Sequence, residues 1–258
     1  MNQEQKLEYL ILYLVKQTQK DIKNFVLPSS YSEKSSLFRA LMNTWQVSLL
    51  SEEFIEIQNS FLQEELKEKQ IQTLETLKPI QKSLYVWQGD ITLLAVDAIV
   101  NAANSSLLGC FIPEHRCIDN VIHSAAGLQL RKACYDIIQQ QGHKEETGQA
   151  KITSAYNLPS KYILHTVGPI ITNGVTQEKE KLLILCYKSC LNVALQNNVK
   201  SLAFCCISTG EFHFPNDRAC ELAISTVKDF LEKNAYPMQI VFNVFKDLDY
   251  QLYLSALK

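Results

Sequence analysis

Strands alternating with helices from about residue 84 onward predict an α/β protein with a central mixed or parallel sheet, preceded by a helical segment. Three observations carry this reading. Short apolar runs of strand character recur at 84–87, 98–100, 151–153, 162–165, 202–207 and 239–242. Helical patterns of suitable length lie between most of them, at 118–141, 178–197 and 216–233. Residues 1 to about 75, by contrast, carry only helical periodicity.

Taken in order, Leu7, Leu10, Ile11, Tyr13 and Leu14 make an apolar helical face, and the pattern ends at Leu27-Pro28-Ser29-Ser30. A second periodic run spans 37–50. Ser51-Glu52-Glu53 then has the form of a helix start, an oxygen cap followed by acids that suit the positive end of the helix dipole. The mixed charges from Glu64 to Lys69 continue it as a solvated face. Later, one long helical pattern starts near Asp119 and closes at Gly142, and Pro215 suits the first turn of the helix after it. There is no internal repeat. The division expected is a helical N-terminal extension over 1–80 and one α/β domain over 81–258.

Composition narrows the classes. A hydrophobic fraction of 47%, a charged fraction of 20% and a formal charge of -2 describe an ordinary globular chain. That balance offers no footprint for a nucleic acid, whose binders are strongly basic, so no nucleic-acid partner is expected. A nucleotide-sized ligand stays open, because backbone amides bind phosphates without net charge. No apolar run approaches the roughly 20 residues that cross a bilayer, and Met1-Asn2-Gln3-Glu4-Gln5-Lys6 has no signal-peptide character. With Cys205-Cys206 in an apolar run, the eight cysteines read as thiols of a cytoplasmic protein rather than a disulfide framework.

Ligands of such sheets bind beyond the carboxyl ends of the strands, and four loops there carry unusual polar content. In Gly89-Asp90-Ile91-Thr92, Asp90 is either a turn cap or an acceptor for an exocyclic amine such as that of adenine. In Val100-Asn101-Ala102-Ala103-Asn104, Asn101 reads as structural, whereas Asn104 offers a donor and an acceptor to ribose hydroxyls. The third loop holds Cys110, His115 and Cys117 in the order C-x4-H-x-C. Two thiols and an imidazole suit zinc, and three protein ligands are the count of a catalytic site with one open position. A closed structural site would need a fourth ligand, for which His123 and His143 are candidates. In the fourth, Ile207-Ser208-Thr209-Gly210-Glu211-Phe212-His213-Phe214-Pro215, small residues let backbone N–H groups approach a phosphate. Phe212 and Phe214 either cover a sugar or base or turn into the core, and His165 reads as a core residue.

Together these segments resemble the macrodomain family. The match runs through Gly89-Asp90-Ile91-Thr92, Val96-Asp97-Ala98-Ile99-Val100-Asn101-Ala102-Ala103-Asn104 and Ile122-His123-Ser124-Ala125-Ala126-Gly127. It continues through Gly148-Gln149-Ala150-Lys151-Ile152-Thr153, His165-Thr166-Val167-Gly168-Pro169 and Ser208-Thr209-Gly210-Glu211-Phe212. The resemblance implies a three-layer α/β/α sandwich with a central mixed sheet, and a pocket for ADP-ribose. It implies that Asp90 holds the adenine amine, that Ile91 lies near a phosphate, that Ser208, Thr209, Gly210, Glu211 and Phe212 wrap the diphosphate, and that Asn104 contacts the distal ribose. Asp119 sits where hydrolytic members carry an aspartate.

Two departures stand out. The glycine run between the second asparagine and that aspartate is replaced by Gly109-Cys110 through Cys117, and His213 replaces a small residue. The Cys/His loop and helical extension resemble the zinc-dependent macrodomains, which remove mono-ADP-ribose from proteins. Bacterial members of that group are associated with a class M sirtuin and a lipoyl-carrier protein. The resemblance implies one Zn2+ at Cys110, His115 and Cys117; because two thiolates donate charge to the metal, it is expected to orient the sugar in preference to generating free hydroxide, with Asp119 activating water or holding the ribose and Asn104 fixing the ribose. The rival readings are a non-catalytic reader of ADP-ribosylated proteins and a deacetylase of O-acetyl-ADP-ribose. For the N-terminal helices the expectation is stabilisation of the domain, with cover of a sheet edge or contact with the modified protein as alternatives.

Overall fold

Leu7, Leu10, Ile11 and Leu14 recur at helical spacing. In the computed structural model, which describes residues 1–18, 25–234 and 236–258, they form the buried stripe of helix α1 (Gln3–Thr18). Helix α2 (Tyr31–Thr44) opens with a reciprocal cap, Ser30 accepting from the Glu33 N–H while Glu33 reaches back to Ser30. It stops six residues before the end of the 37–50 run. Trp45 leaves the helix (ψ 125°), buries its ring and donates its indole N–H to Gln17. Helix α3 (Glu52–Lys67) starts where the sequence places it, with Ser51 accepting from the Phe54 N–H at 3.2 Å. The three helices share a core of their own that includes Phe38, Phe54 and Phe61, and Leu128 joins it from the second part of the chain.

Strand β1 (Gln72–Thr73) pairs parallel with β3 (Leu94–Ala95). The central sheet has six strands, β2 (Leu84–Gln88), β4 (Ala98–Ala103), β5 (Ala150–Ser154), β6 (Tyr162–Val167), β7 (Ser201–Phe204) and β8 (Gln239–Val244). Their order is β2-β8-β7-β4-β6-β5, with only β5 antiparallel to its neighbour, so the sheet is mixed as expected. Helices α4 (Ile118–Ala126), α5 (Leu128–Gln141), α6 (Gln177–Gln196), α7 (Asn216–Lys233) and α8 (Asp247–Leu257) flank it. All eight cysteines are unpaired, and no helix among the described residues is long and apolar enough to cross a membrane.

Four elements differ from their expected form. The single helix over 118–141 is two, because Gly127 (φ 94°) closes α4 and turns the chain. A β-carbon there would also stand 2.7 Å from the Gln58 amide. β7 ends at Phe204, leaving 205–207 to the loop, and α7 begins at Asn216 with Pro215 as its cap. Helix α8 has apolar residues on more than one face, so no single periodic stripe announces it.

Asp97 ties three of the strands together at their amino ends. Its carboxylate accepts from the Lys200 and Ser201 amides at 2.8 and 3.1 Å and from Lys161 at 2.7 Å. Its carbonyl accepts from the Lys161 and Tyr162 amides, and its N–H donates to Ser201. Burial works to raise the Asp97 carboxyl, but Lys161 and the two amides outweigh it and hold the group below the usual carboxylate range. Its stabilisation is therefore full above the unfolded carboxylate's pKa and fades as pH falls through the lower folded value. Urea titration of Asp97→Ala should show a loss of about 2 kcal/mol at pH 7, and a smaller gap to the parent protein at pH 3.

Candidate active site

Because β2, β8, β7 and β4 run parallel, the loops leaving their carboxyl ends meet along one edge of the sheet. The Asp90 turn follows β2, the Asn104–Cys117 loop follows β4, the Ser208–Phe212 loop follows β7, and Phe245 follows β8. Asp90 caps the turn Ile91–Leu93, its Oδ1 accepting from the Thr92 N–H (3.0 Å) and hydroxyl (2.7 Å). Its Oδ2 accepts nothing among the described residues, so one carboxylate oxygen caps while the other is left over. Ile91 is buried beneath it. Phe245, 77% exposed, stands next to this turn, and its carbonyl accepts from Gln88 at 3.2 Å. Sequence reasoning missed it; the available signal was an aromatic residue immediately after a strand on the ligand edge.

The loop after β4 brings Cys110, His115 and Cys117 together with donor atoms all within 4.8 Å of one another. Cys110 Sγ lies 3.4 Å from His115 Nδ1, and all three residues are half-buried. Neither candidate for a fourth ligand joins them. His143 is exposed and bonded to the Lys144 carbonyl, and His123 belongs to a separate, buried group with Cys134 and His165. Two sulfurs and an imidazole nitrogen at this spacing fit a soft or borderline divalent ion with a position to spare. Burial, with Cys110 alongside, pushes the Cys117 thiol up to about 12, so a cation binding there must displace its proton. His115 Nε2 lies 3.7 Å from Glu211, which links this loop to the one after β7.

Asp119, at the start of α4 and two residues past Cys117, is buried. Its Oδ1 accepts from Asn101 at 2.8 Å and its Oδ2 from Asn104 at 3.1 Å, while His123 Nε2 lies 3.5 Å away. Burial pushes the carboxyl up to about 6, and Asn101, Arg131 and Asn104 keep it from going higher. The result is a carboxyl group that holds its proton to a higher pH than an exposed aspartate does. Asn104 also donates to the Gly109 carbonyl at 2.9 Å and accepts from Ser106, so its amide is already committed to shaping the loop. Asn101 lies within β4, paired in register with His165 and 3.2 Å from its Nδ1, a structural placement. Burial pushes His165 down to about 3 and His123 well below the ordinary histidine value, leaving both rings neutral.

In the loop after β7, Ser208 (φ 66°) and His213 (φ 56°) both adopt left-handed backbone. Between them the N–H groups of Gly210, Glu211 and Phe212 donate to no acceptor among the described residues. Thr209 is tied down by its hydroxyl and N–H to the Cys206 carbonyl, and the Phe212 carbonyl accepts from Ile171. Three successive free amides between two left-handed residues are the kind of backbone from which anion-binding nests are built. His213 thus stands where a glycine is the easier occupant. Phe212 is half-buried beside these amides, whereas Phe214 is 1% exposed and packs in the core, so it covers no ligand.

A family model described as Macro domain matches residues 100–223. The chain is 50% identical over 257 residues to a protein-ADP-ribose hydrolase of Treponema medium, covering 98% of both chains. It is 47% identical to a protein-ADP-ribose hydrolase of Staphylococcus aureus, covering 97% of this chain and 94% of that one. In three dimensions it is similar to a Trypanosoma brucei macrodomain solved in complex with ADP-ribose. That likeness has a TM-score of 0.68 at 27% identity and covers 91% of this chain and all of the other.

Gly109 is the narrow point of the Cys/His loop, with φ 79° and space for a β-carbon only 2.9 Å from the His123 ring. Gly109→Ala should therefore lower stability by about 1–3 kcal/mol, read by thermal unfolding.

Proposed function

Since the chain belongs to the macrodomain family, we propose that it is a protein-ADP-ribose hydrolase that removes mono-ADP-ribose from modified proteins with one zinc ion at Cys110, His115 and Cys117. The observation that carries this reading is a buried carboxylate, Asp119, held by Asn104 two residues past the last member of a clustered Cys/His trio. The donor set fits the ion, which when bound supplies a Lewis acid that orients the distal ribose and stabilises charge at its anomeric bond.

The protein's own residues do the rest. Asp90 Oδ2 accepts from the adenine amine, with the Ile91 backbone close to a phosphate, and the Phe245 ring stacks on the base. The amides of Gly210, Glu211 and Phe212, flanked by Ser208 and Thr209, bind the diphosphate. Asn104 fixes the distal ribose by exchanging the bond its carbonyl oxygen now accepts from the Ser106 hydroxyl for one from a ribose hydroxyl. Water attacks the anomeric carbon, the bond to the modified protein breaks, and Asp119 takes the proton of the water and passes it to the departing group. Asn101 and Asn104 keep the carboxylate aimed, and His123 stays neutral beside it. The resemblance to zinc-dependent macrodomains supports a class M sirtuin as the transferase whose work is reversed, and a lipoyl-carrier protein as the modified partner.

Release of free ADP-ribose from a mono-ADP-ribosylated protein should occur with protein as purified, vanish on removal of metal and return with zinc. Persistent binding of ADP-ribose with no release in any state would make the protein a reader instead. Asp119→Ala should lower kcat by about 10²–10⁴-fold while the Kd for ADP-ribose moves only a few-fold; equal losses in both would remove its role as base. Phe245→Ala should weaken ADP-ribose binding by roughly 10-fold or more in calorimetry, the worth of one base stack.

A further inference from the structure

The Cys/His loop is short of internal support. Its tip, Ile112-Pro113-Glu114, is exposed, and its own backbone contributes the His115 N–H to Ile112 carbonyl bond at 3.2 Å. Glu114 moreover holds a left-handed backbone (φ 55°) that a side chain resists. What fixes the loop comes from α2. Asn43, 1% exposed, accepts from the Glu114 N–H at 2.9 Å and donates to Ser124 at 3.0 Å. Arg39 donates through one nitrogen to the His115 carbonyl (3.0 Å) and to Asn120 Oδ1 (3.1 Å). Asn120 in turn donates to the Ile112 carbonyl at 3.0 Å and the Cys110 carbonyl at 3.4 Å. Each stretch between the three ligands is thus tied, directly or through one residue, to the N-terminal layer.

The anchor is itself anchored. Arg131, buried in α5, donates to the Met42 and Trp45 carbonyls at the end of α2, and its guanidinium lies 4.5 Å from the centre of the Phe111 ring. We infer that α2 is the brace of the metal loop, and that Arg39 and Asn43 are positioning residues that set how tightly Cys110, His115 and Cys117 hold their ion. This rests on the zinc reading above. The donors lie up to 4.8 Å apart and must be gathered around one ion, so a loop already shaped by hydrogen bonds loses less freedom on binding than an unsupported one.

The test uses the full chain, with Arg39→Ala and Asn43→Ala set against Gln63→Ala. Gln63 ties α3 to the Asn157 carbonyl, away from the loop, and reports loss of layer stability alone. Zinc affinity is measured by competition with a chromophoric chelator, well below the melting temperature of each metal-free protein. The expected result is zinc affinity lower by about 10–100-fold in Arg39→Ala and Asn43→Ala, with Gln63→Ala within twofold of the parent, and ADP-ribose release restored in the first two by added zinc. Affinities within twofold of the parent in both loop variants would overturn the inference. So would losses in all three that follow their melting temperatures. A parent protein that binds no zinc would instead remove the metal reading itself, an outcome visible before any variant is made.

Discussion

A carboxylate taken out of water must be given donors or it will not stay charged, and the burial of Asp119 imposes that demand on everything around it. The donors come from two residues three apart, Asn101 within a buried strand and Asn104 in the loop beyond. Asn104 meets a second obligation at once, binding the Gly109 carbonyl and so setting the angle at which the Cys/His loop departs. The position of the trio, the orientation of the carboxylate and the end of β4 are therefore one arrangement. None of them moves alone.

The charge that balances this carboxylate lies deeper. Arg131 makes no direct bond to Asp119, yet its field helps keep the acid from a still higher pKa, and Asp119 in turn helps the buried guanidinium keep its proton. Burial lowers Arg131 to about 10, which still leaves it charged at neutral pH. The carbonyls at the end of α2 solvate it in place of water, and those groups lack helical partners and need donors. One buried cation thus closes a helix, supports a ring of the Cys/His loop and steadies the acid.

Most of the sheet was legible because its strands are short, apolar and separated by turn residues; Asp90 and the Cys/His trio drew attention as polar groups in loops at strand ends, whereas Asp119 was singled out by the family resemblance alone. What escaped had partners far off in sequence. Nothing near Gly127 says that Gln58 will occupy the space of a β-carbon, and nothing near Asn43 says that Glu114 will donate to it. The break in the 118–141 helix and the brace on the loop are tertiary facts. Helix α8 escaped for another reason, an apolar pattern without one face. Phe214 was open between core and ligand by its loop, and burial decided it; Phe245 was visible in the sequence but carried no pattern beyond its place after a strand.

Leu128 sits in the core of the N-terminal helices although it begins α5, and Arg131 one turn later bonds the end of α2. A chain that shed α1 to α3 would uncover an apolar side chain and leave a buried guanidinium without its acceptors, in the helix that follows α4. The helical layer is in that sense no detachable module. In descent the layer, α5 and the Cys/His loop are bound to be gained, kept or lost as a set, and a lineage that discards the helices must rewrite the other two.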